Sequence, residues 1–157
     1  MRFFKLSLLA FILTPFIFLQ AQNDFTYIGL DGCAMCHKTE KQGRQLSIWQ
    51  NSKHSKAYET LKTEKANQIA AEKGFKTPAV ETAECLKCHA TGYNLDASML
   101  REKFKVEDGV QCETCHGPGS AYKDMKVMKD KDLSIKNGLV VHDKLEKFCI
   151  SCHNAES

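Results

Sequence analysis

The chain has 157 residues, 43% of them hydrophobic and 26% charged, with 22 Lys and Arg against 19 Asp and Glu for a formal net charge of +3. That length allows one domain, and so even a charge balance gives no argument for a nucleic-acid binder. All eight cysteines fall in copies of one pentapeptide, so the chemistry of that pattern governs the reading.

In chain order, Met1-Arg2-Phe3-Phe4-Lys5 precedes an apolar run from Leu6 to Leu19 and then Gln20-Ala21-Gln22. This predicts a signal peptide over residues 1–21, cleaved after Ala21. The run is shorter than the about 20 residues of a membrane span and Pro15 interrupts it, so no stable span is expected after cleavage. Loss of Arg2 and Lys5 lowers the charge from +3 to +1. Residues 22–157 then form one domain, since no Pro-rich or low-complexity linker divides them.

The first pentapeptide is Cys33-Ala34-Met35-Cys36-His37. Over residues 39–61, Leu46, Trp49, His54, Tyr58 and Leu61 recur at spacings that fit helical faces, and residues 64–73, rich in Ala, Glu, Lys and Gln, predict a helix stopped by Gly74. Thr77-Pro78 opens a loop, and Thr82 is placed to cap a short helix carrying Cys85-Leu86-Lys87-Cys88-His89. Asp108-Gly109 marks a turn before Cys112-Glu113-Thr114-Cys115-His116, which Gly117-Pro118-Gly119 ends. Residues 121–129 predict a short helix and Asn137-Gly138 a turn. Residues 143–153 predict a helix capped near Asp143 that holds Cys149-Ile150-Ser151-Cys152-His153.

Cys-x-x-Cys-His reads as a covalent c-type haem attachment site. Two thiols one helical turn apart add to the two vinyl groups of a haem, and the next residue's imidazole binds the iron. Zinc sites and a disulfide framework are the competing readings. Four copies, each with His directly after the second Cys and no Cys left over, favour haem. The expectation is four c-type haems, held by Cys33, Cys36, Cys85, Cys88, Cys112, Cys115, Cys149 and Cys152, with His37, His89, His116 and His153 on the irons. One ring system for roughly 34 residues makes the cofactors much of the core. The fold class is therefore mainly α, short helices and loops wrapped around four covalently bound haems, with little or no sheet. Each haem adds roughly −2 from its propionates, so the holoprotein is net acidic and the lysines serve as propionate partners and solvated surface. Covalent haem attachment in bacteria takes place outside the cytoplasmic membrane, which agrees with the signal peptide and points to the periplasm.

Four irons offer eight axial positions, and the chain has six histidines. Beyond the four motif residues only His54 and His142 remain, and a spare imidazole in a multihaem chain is a distal ligand. Methionine is the next candidate, with a thioether that raises the reduction potential. Met35 sits inside an attachment loop and cannot reach the far face of its own haem. Met99, Met125 and Met128 are left, of which Met125 and Met128 share a face of one short helix.

Several blocks extend beyond the bare motif. Trp49 and Ser52-Lys53-His54-Ser55-Lys56-Ala57 follow the first motif, Ala90-Thr91-Gly92-Tyr93 follows the second, and the third lies in Gly109-Val110-Gln111-Cys112-Glu113-Thr114-Cys115-His116-Gly117-Pro118-Gly119. On these residues the chain resembles the cytochrome c-554 type tetrahaem proteins, a family first associated with hydroxylamine oxidation in ammonia oxidisers. The resemblance implies that His54 stands opposite His153 and His142 opposite His116. It also implies a distal ligand for the first haem from the segment after the third motif. There this chain has Met125 and Met128 where the family has its His, so His37 is expected opposite one of the two methionines. The family's second haem is five-coordinate, which leaves the His89 haem open unless Met99 closes it. Fuller family members continue beyond the fourth motif, whereas this chain stops shortly after His153, without the docking or closing surfaces such an extension supplies.

The function expected first is a periplasmic electron carrier between redox protein partners, a donor and an acceptor, since no residue requires a nucleophile or substrate pocket to explain it. The alternatives are a redox enzyme acting on a small nitrogen compound such as nitric oxide at the open His89 haem, and a subunit of a larger cytochrome assembly that receives missing ligands from its neighbour.

Overall fold

The computed structural model describes residues 25–155. The expected signal peptide lies outside the described residues. Helices α1 (Leu30–His37), α2 (Gln45–Gln50), α3 (Ala57–Leu61), α4 (Glu64–Glu72), α5 (Ala83–His89), α6 (Cys112–His116), α7 (Met125–Met128), α8 (Lys131–Lys136) and α9 (Leu145–Cys149) are joined by loops and single 3₁₀ turns. Strand structure among the described residues is limited to an isolated bridge between Tyr27 and Leu100. The chain is mainly helical with almost no strand, as its composition and motif spacing predict.

Helix α4 shows why these elements form where they do. Thr63 caps it, with its hydroxyl accepting from Ala66 N at 3.2 Å. At the other end Gly74 takes φ 87, which lets Gly74 N reach Ala71 O and Phe75 N reach Ala70 O, satisfying two terminal carbonyls. Ala66 and Ala70, four residues apart on one stripe, are buried with Leu61 and Ala79, and Phe75, Val80, Cys85 and Leu86 pack around them. This cluster supports α5 and with it the second motif.

Other elements depart from expectation. The helical faces expected over residues 39–61 fall on α2, a 3₁₀ turn at His54–Lys56 and α3, and Gly43 (φ 85) and Arg44 (φ 51) both turn left-handed ahead of α2. Thr82 stands at the N-cap position of α5, but its hydroxyl donates back to Pro78 O at 2.9 Å and caps nothing. Residues 121–129 hold only the four-residue α7, capped by Asp124, and the helix following it, α8, is capped by Asp130. Asp143 caps nothing either: α9 begins after Lys144, and Cys152 and His153 lie in the turn beyond its end.

Buried apolar residues away from the α4 cluster are few, namely Ile28, Ala90 and Tyr122. Met35, Ile48, Met125, Leu145 and Ile150 are each more than half exposed. Such an apolar surface, beside so small a core, is what a chain completed by large apolar cofactors presents.

Candidate functional site

Three of the four motifs end a helix on their histidine: α1 on His37, α5 on His89 and α6 on His116. The spacing i, i+3, i+4 places both cysteines and the histidine of a motif on one stripe. In the fourth motif only Cys149 is helical, but Cys152 N and His153 N both reach Cys149 O, at 3.2 and 2.9 Å, so the same turn continues.

Thiols of different motifs lie within electrostatic reach of one another. The Cys33 thiol donates to Cys112, pushing Cys33 upward and pulling Cys112 down to about 7. Burial and then a hydrogen bond with Cys152 push Cys88 up. Burial and the neighbouring Cys149, Cys112 and Cys152 do the same to Cys115. The first and third motifs thus lie near one another, as do the second and fourth, and His142, ahead of the fourth, lies within hydrogen-bond distance of Cys115 O of the third.

The histidines are oriented for a metal. The His89 Nδ1–H donates to Ala57 O at 2.8 Å and the His37 Nδ1–H to Gln45 Oε1 at 3.3 Å, which leaves Nε2 of each with its lone pair. Burial, then the nearby His142 and His37, lower His116 and favour the neutral imidazole that binds a metal. The rings of His54 and His153 lie 5.9 Å apart between centroids at a 50° tilt. Metal–imidazole bonds of about 2 Å on either side of one iron put two ring centroids about 6 Å apart, so this pair has the span of a bis-imidazole site. His142 stacks on Phe148 at 4.2 Å, and its Nε2–H donates to Cys115 O at 2.8 Å, one residue from His116. That bond leaves Nδ1 as the His142 nitrogen with a lone pair. Met125 is 63% exposed and Met128 36%, both on α7, which packs on α8. Met99 is half-buried, and its carbonyl accepts from Tyr27 N at 2.8 Å.

Among the described residues no three or more His, Cys, Asp or Glu side chains converge as a bare metal ion requires, and none of the eight cysteines is in a disulfide. The zinc and disulfide readings therefore find no support in the geometry. Paired thiols one turn apart, histidines with an outward Nε2 and an under-filled apolar core all fit c-type haem.

What aligns the motifs was not read from the sequence. Glu113 is 2% exposed, and its carboxylate accepts from Ile28 N, Gly29 N (2.8 Å) and Gly119 N (2.6 Å). It ties the start of α1 to the third motif. Thr91, also buried, donates its hydroxyl to Gly109 O at 3.0 Å and accepts from Gln111 N at 2.8 Å, joining the second motif to the third. Trp49 Nε1 donates to Val110 O at 2.7 Å and Val110 N to His54 O at 3.2 Å, which sets the His54 turn. Gly109 (φ 73) passes so close that an added Cβ would stand 3.0 Å from His54 O. Tyr122 donates to Gly117 O at 2.9 Å. A signal existed for most of these: Thr91, Gly109 and Glu113 belong to blocks that run beyond Cys-x-x-Cys-His, where attachment chemistry alone gives no reason for them.

Residues 32–117 match the family described as cytochrome c554 and c-prime. Over 146 residues the chain is 31% identical to cytochrome c-554 of Nitrosomonas europaea, an alignment covering 83% of this chain and 58% of that protein. The chain belongs to the cytochrome c-554 family. Membership brings c-type haem iron as cofactor, and the family match itself includes the first three motifs. The chain spans about 58% of the length of the cytochrome c-554 it matches. No solved structure matches it. Among the described residues no helix is long and apolar enough to cross a membrane.

Proposed function

We propose that this chain is a periplasmic tetrahaem cytochrome that passes electrons between a donor and an acceptor protein. The observation that supports the reading is the hydrogen bonding that gathers the motifs: Glu113 ties the third to the start of α1, Thr91 joins the second to the third, and His142, ahead of the fourth, donates to Cys115 O of the third. Covalently attached haem supplies a one-electron couple at each motif. The polypeptide holds the four close together, and axial residues of different kinds set unequal potentials. His37, His89, His116 and His153 serve as proximal ligands, His54 faces His153, and His142 faces His116. Met125 or Met128 serves the His37 haem, and the His89 haem is left open or closed by Met99. The exported location rests on residues 1–21.

Low-temperature EPR of the oxidised holoprotein, repeated with nitric oxide after reduction, tests this. Four low-spin signals indifferent to the ligand leave electron transfer as the function. A high-spin signal lost on ligand addition, accompanied by turnover of nitric oxide under a chemical reductant, overturns it in favour of an enzyme acting at the His89 haem. That alternative is kept because six histidines cannot fill eight axial positions.

The same spectra test the His54 and His153 pair. His54→Ala is expected to convert one low-spin signal to high-spin, leaving the others unchanged, since a low-spin ferric haem needs its sixth ligand. An unchanged spectrum would remove His54 from the ligand set.

A further inference from the structure

A cleft of about 910 Å³ lies behind α1. Asp31, Ala34, Met35 and Lys38 line it at spacing i, i+3, i+4, i+7. Cys33, Cys36 and His37 form the opposite stripe of the same helix, because residues 31 and 33 stand about 200° apart around an α-helix. The α1 wall of the cleft is therefore a different stripe from the one that takes the first haem.

Its chemistry is that of a recognition surface. Met35, one of its lining residues, is 75% exposed. Lys38, Arg101, Lys103 and Lys123 line the same cleft, against Asp31 and Glu102, a local excess of two positive charges. Ion pairs among the described residues join Arg44 to Glu40 and Lys62 to Glu59, so none of these four cations is in one. Arg101 is held in place by donation from Nε to Thr26 Oγ1 at 2.7 Å. A flexible, polarizable thioether in a cleft shared with four cations suits a transient protein contact, steered by charge and closed by apolar surface. The holoprotein is otherwise net acidic once propionates are counted. A basic cleft on such a molecule orients a partner as well as attracting it.

We propose that this cleft is the docking surface for an acidic electron-transfer protein, which exchanges electrons with the first-motif haem across the width of α1. The proposal rests on the electron-carrier reading. A partner seated there is separated from the haem face by one helix, about 10 Å thick. In each encounter one electron leaves the partner's reduced cofactor and one ferric iron is reduced.

The test is stopped-flow reduction of the oxidised holoprotein by flavodoxin hydroquinone, an acidic flavoprotein, and separately by photoreduced lumiflavin, a small uncharged reductant. Lys38→Glu, Lys103→Glu and Lys123→Glu are combined in one variant. Lys65→Glu, Lys76→Glu and Lys136→Glu, exposed elsewhere, form a control of equal charge. The cleft variant is expected to lose about tenfold or more of the flavodoxin rate at low ionic strength and to reverse its salt dependence. The control should stay within about threefold of the parent, and both should keep its oxidised spectrum and its lumiflavin rate. Equal loss in the two variants, no loss in the cleft variant, or a parent reduced by lumiflavin but not by flavodoxin overturns the docking site. A lumiflavin rate or spectrum altered in the cleft variant overturns it too, by showing that the cations act on a haem directly. A parent reduced by neither flavin overturns the carrier reading itself.

Discussion

Produced without haem attachment, the chain is expected to have no cooperative thermal transition and a far-ultraviolet circular dichroism spectrum with most of the helical signal gone. Buried apolar side chains among the described residues are Ile28, Leu61, Tyr122 and the four alanines Ala66, Ala70, Ala79 and Ala90. An alanine contributes little apolar area, and fixing each residue's backbone costs about 1–2 kcal/mol in conformational entropy. The helices cannot compensate: outside α1 and α4 none exceeds seven residues, well below the about 12–15 at which an isolated helix becomes even marginal. Order must come from ring systems covalently seated between these elements, so folding and attachment are one event, as in small metal-dependent domains. Co-production with a cytochrome maturation system should restore both helix and transition. A sharp melt of the haem-free chain would show that the polypeptide carries a core of its own.

Glu113→Ala in the holoprotein is expected to lower stability by about 3–5 kcal/mol, the range for removing one partner of a buried charged contact. The substitution leaves Ile28 N, Gly29 N and Gly119 N buried without an acceptor. Glu113→Gln keeps the shape and one acceptor oxygen but turns an amide N–H₂ toward backbone donors, and about 1–3 kcal/mol is expected. Denaturant unfolding followed at the haem absorbance measures both. Because the carboxylate joins the entry of α1 to the third motif, Glu113→Ala should also disturb the first and third haems before the second and fourth, visible as broadening of the first pair's EPR signals. A loss below about 0.5 kcal/mol for the alanine variant, the size of an ordinary surface substitution, would exclude a clamp at this position.

The haem chemistry was legible in the sequence because it is local. Cys33, Cys36 and His37 fall on one stripe of one turn, and any helix that forms there presents them together. The same holds for Gly74 after α4, where one residue without a Cβ supplies the left-handed stop. Local rules failed where tertiary partners competed. Thr82 has the residue type and position of a cap, but the loop through Thr77 and Pro78 takes its hydroxyl. Lys131–Lys136 shows little beyond Asp130 to announce a helix, and it forms packed on α7. Met125 and Met128 are on the helix the sequence suggested, shortened to a single turn.

The sequence by itself thus determined the cofactor class, c-type haem, and a mainly helical chain with almost no strand. Only the tertiary structure decided which hydrogen bonds gather the motifs and how far apart the rings of His54 and His153 stand, 5.9 Å between centroids. Those relations depend on contacts such as Glu113 with Ile28, 85 residues apart in the chain, and on Val110 holding His54 through the backbone. Periodicity reports which side of its own helix a residue occupies; it carries no term for the distance between two helices that loops of unequal length bring together.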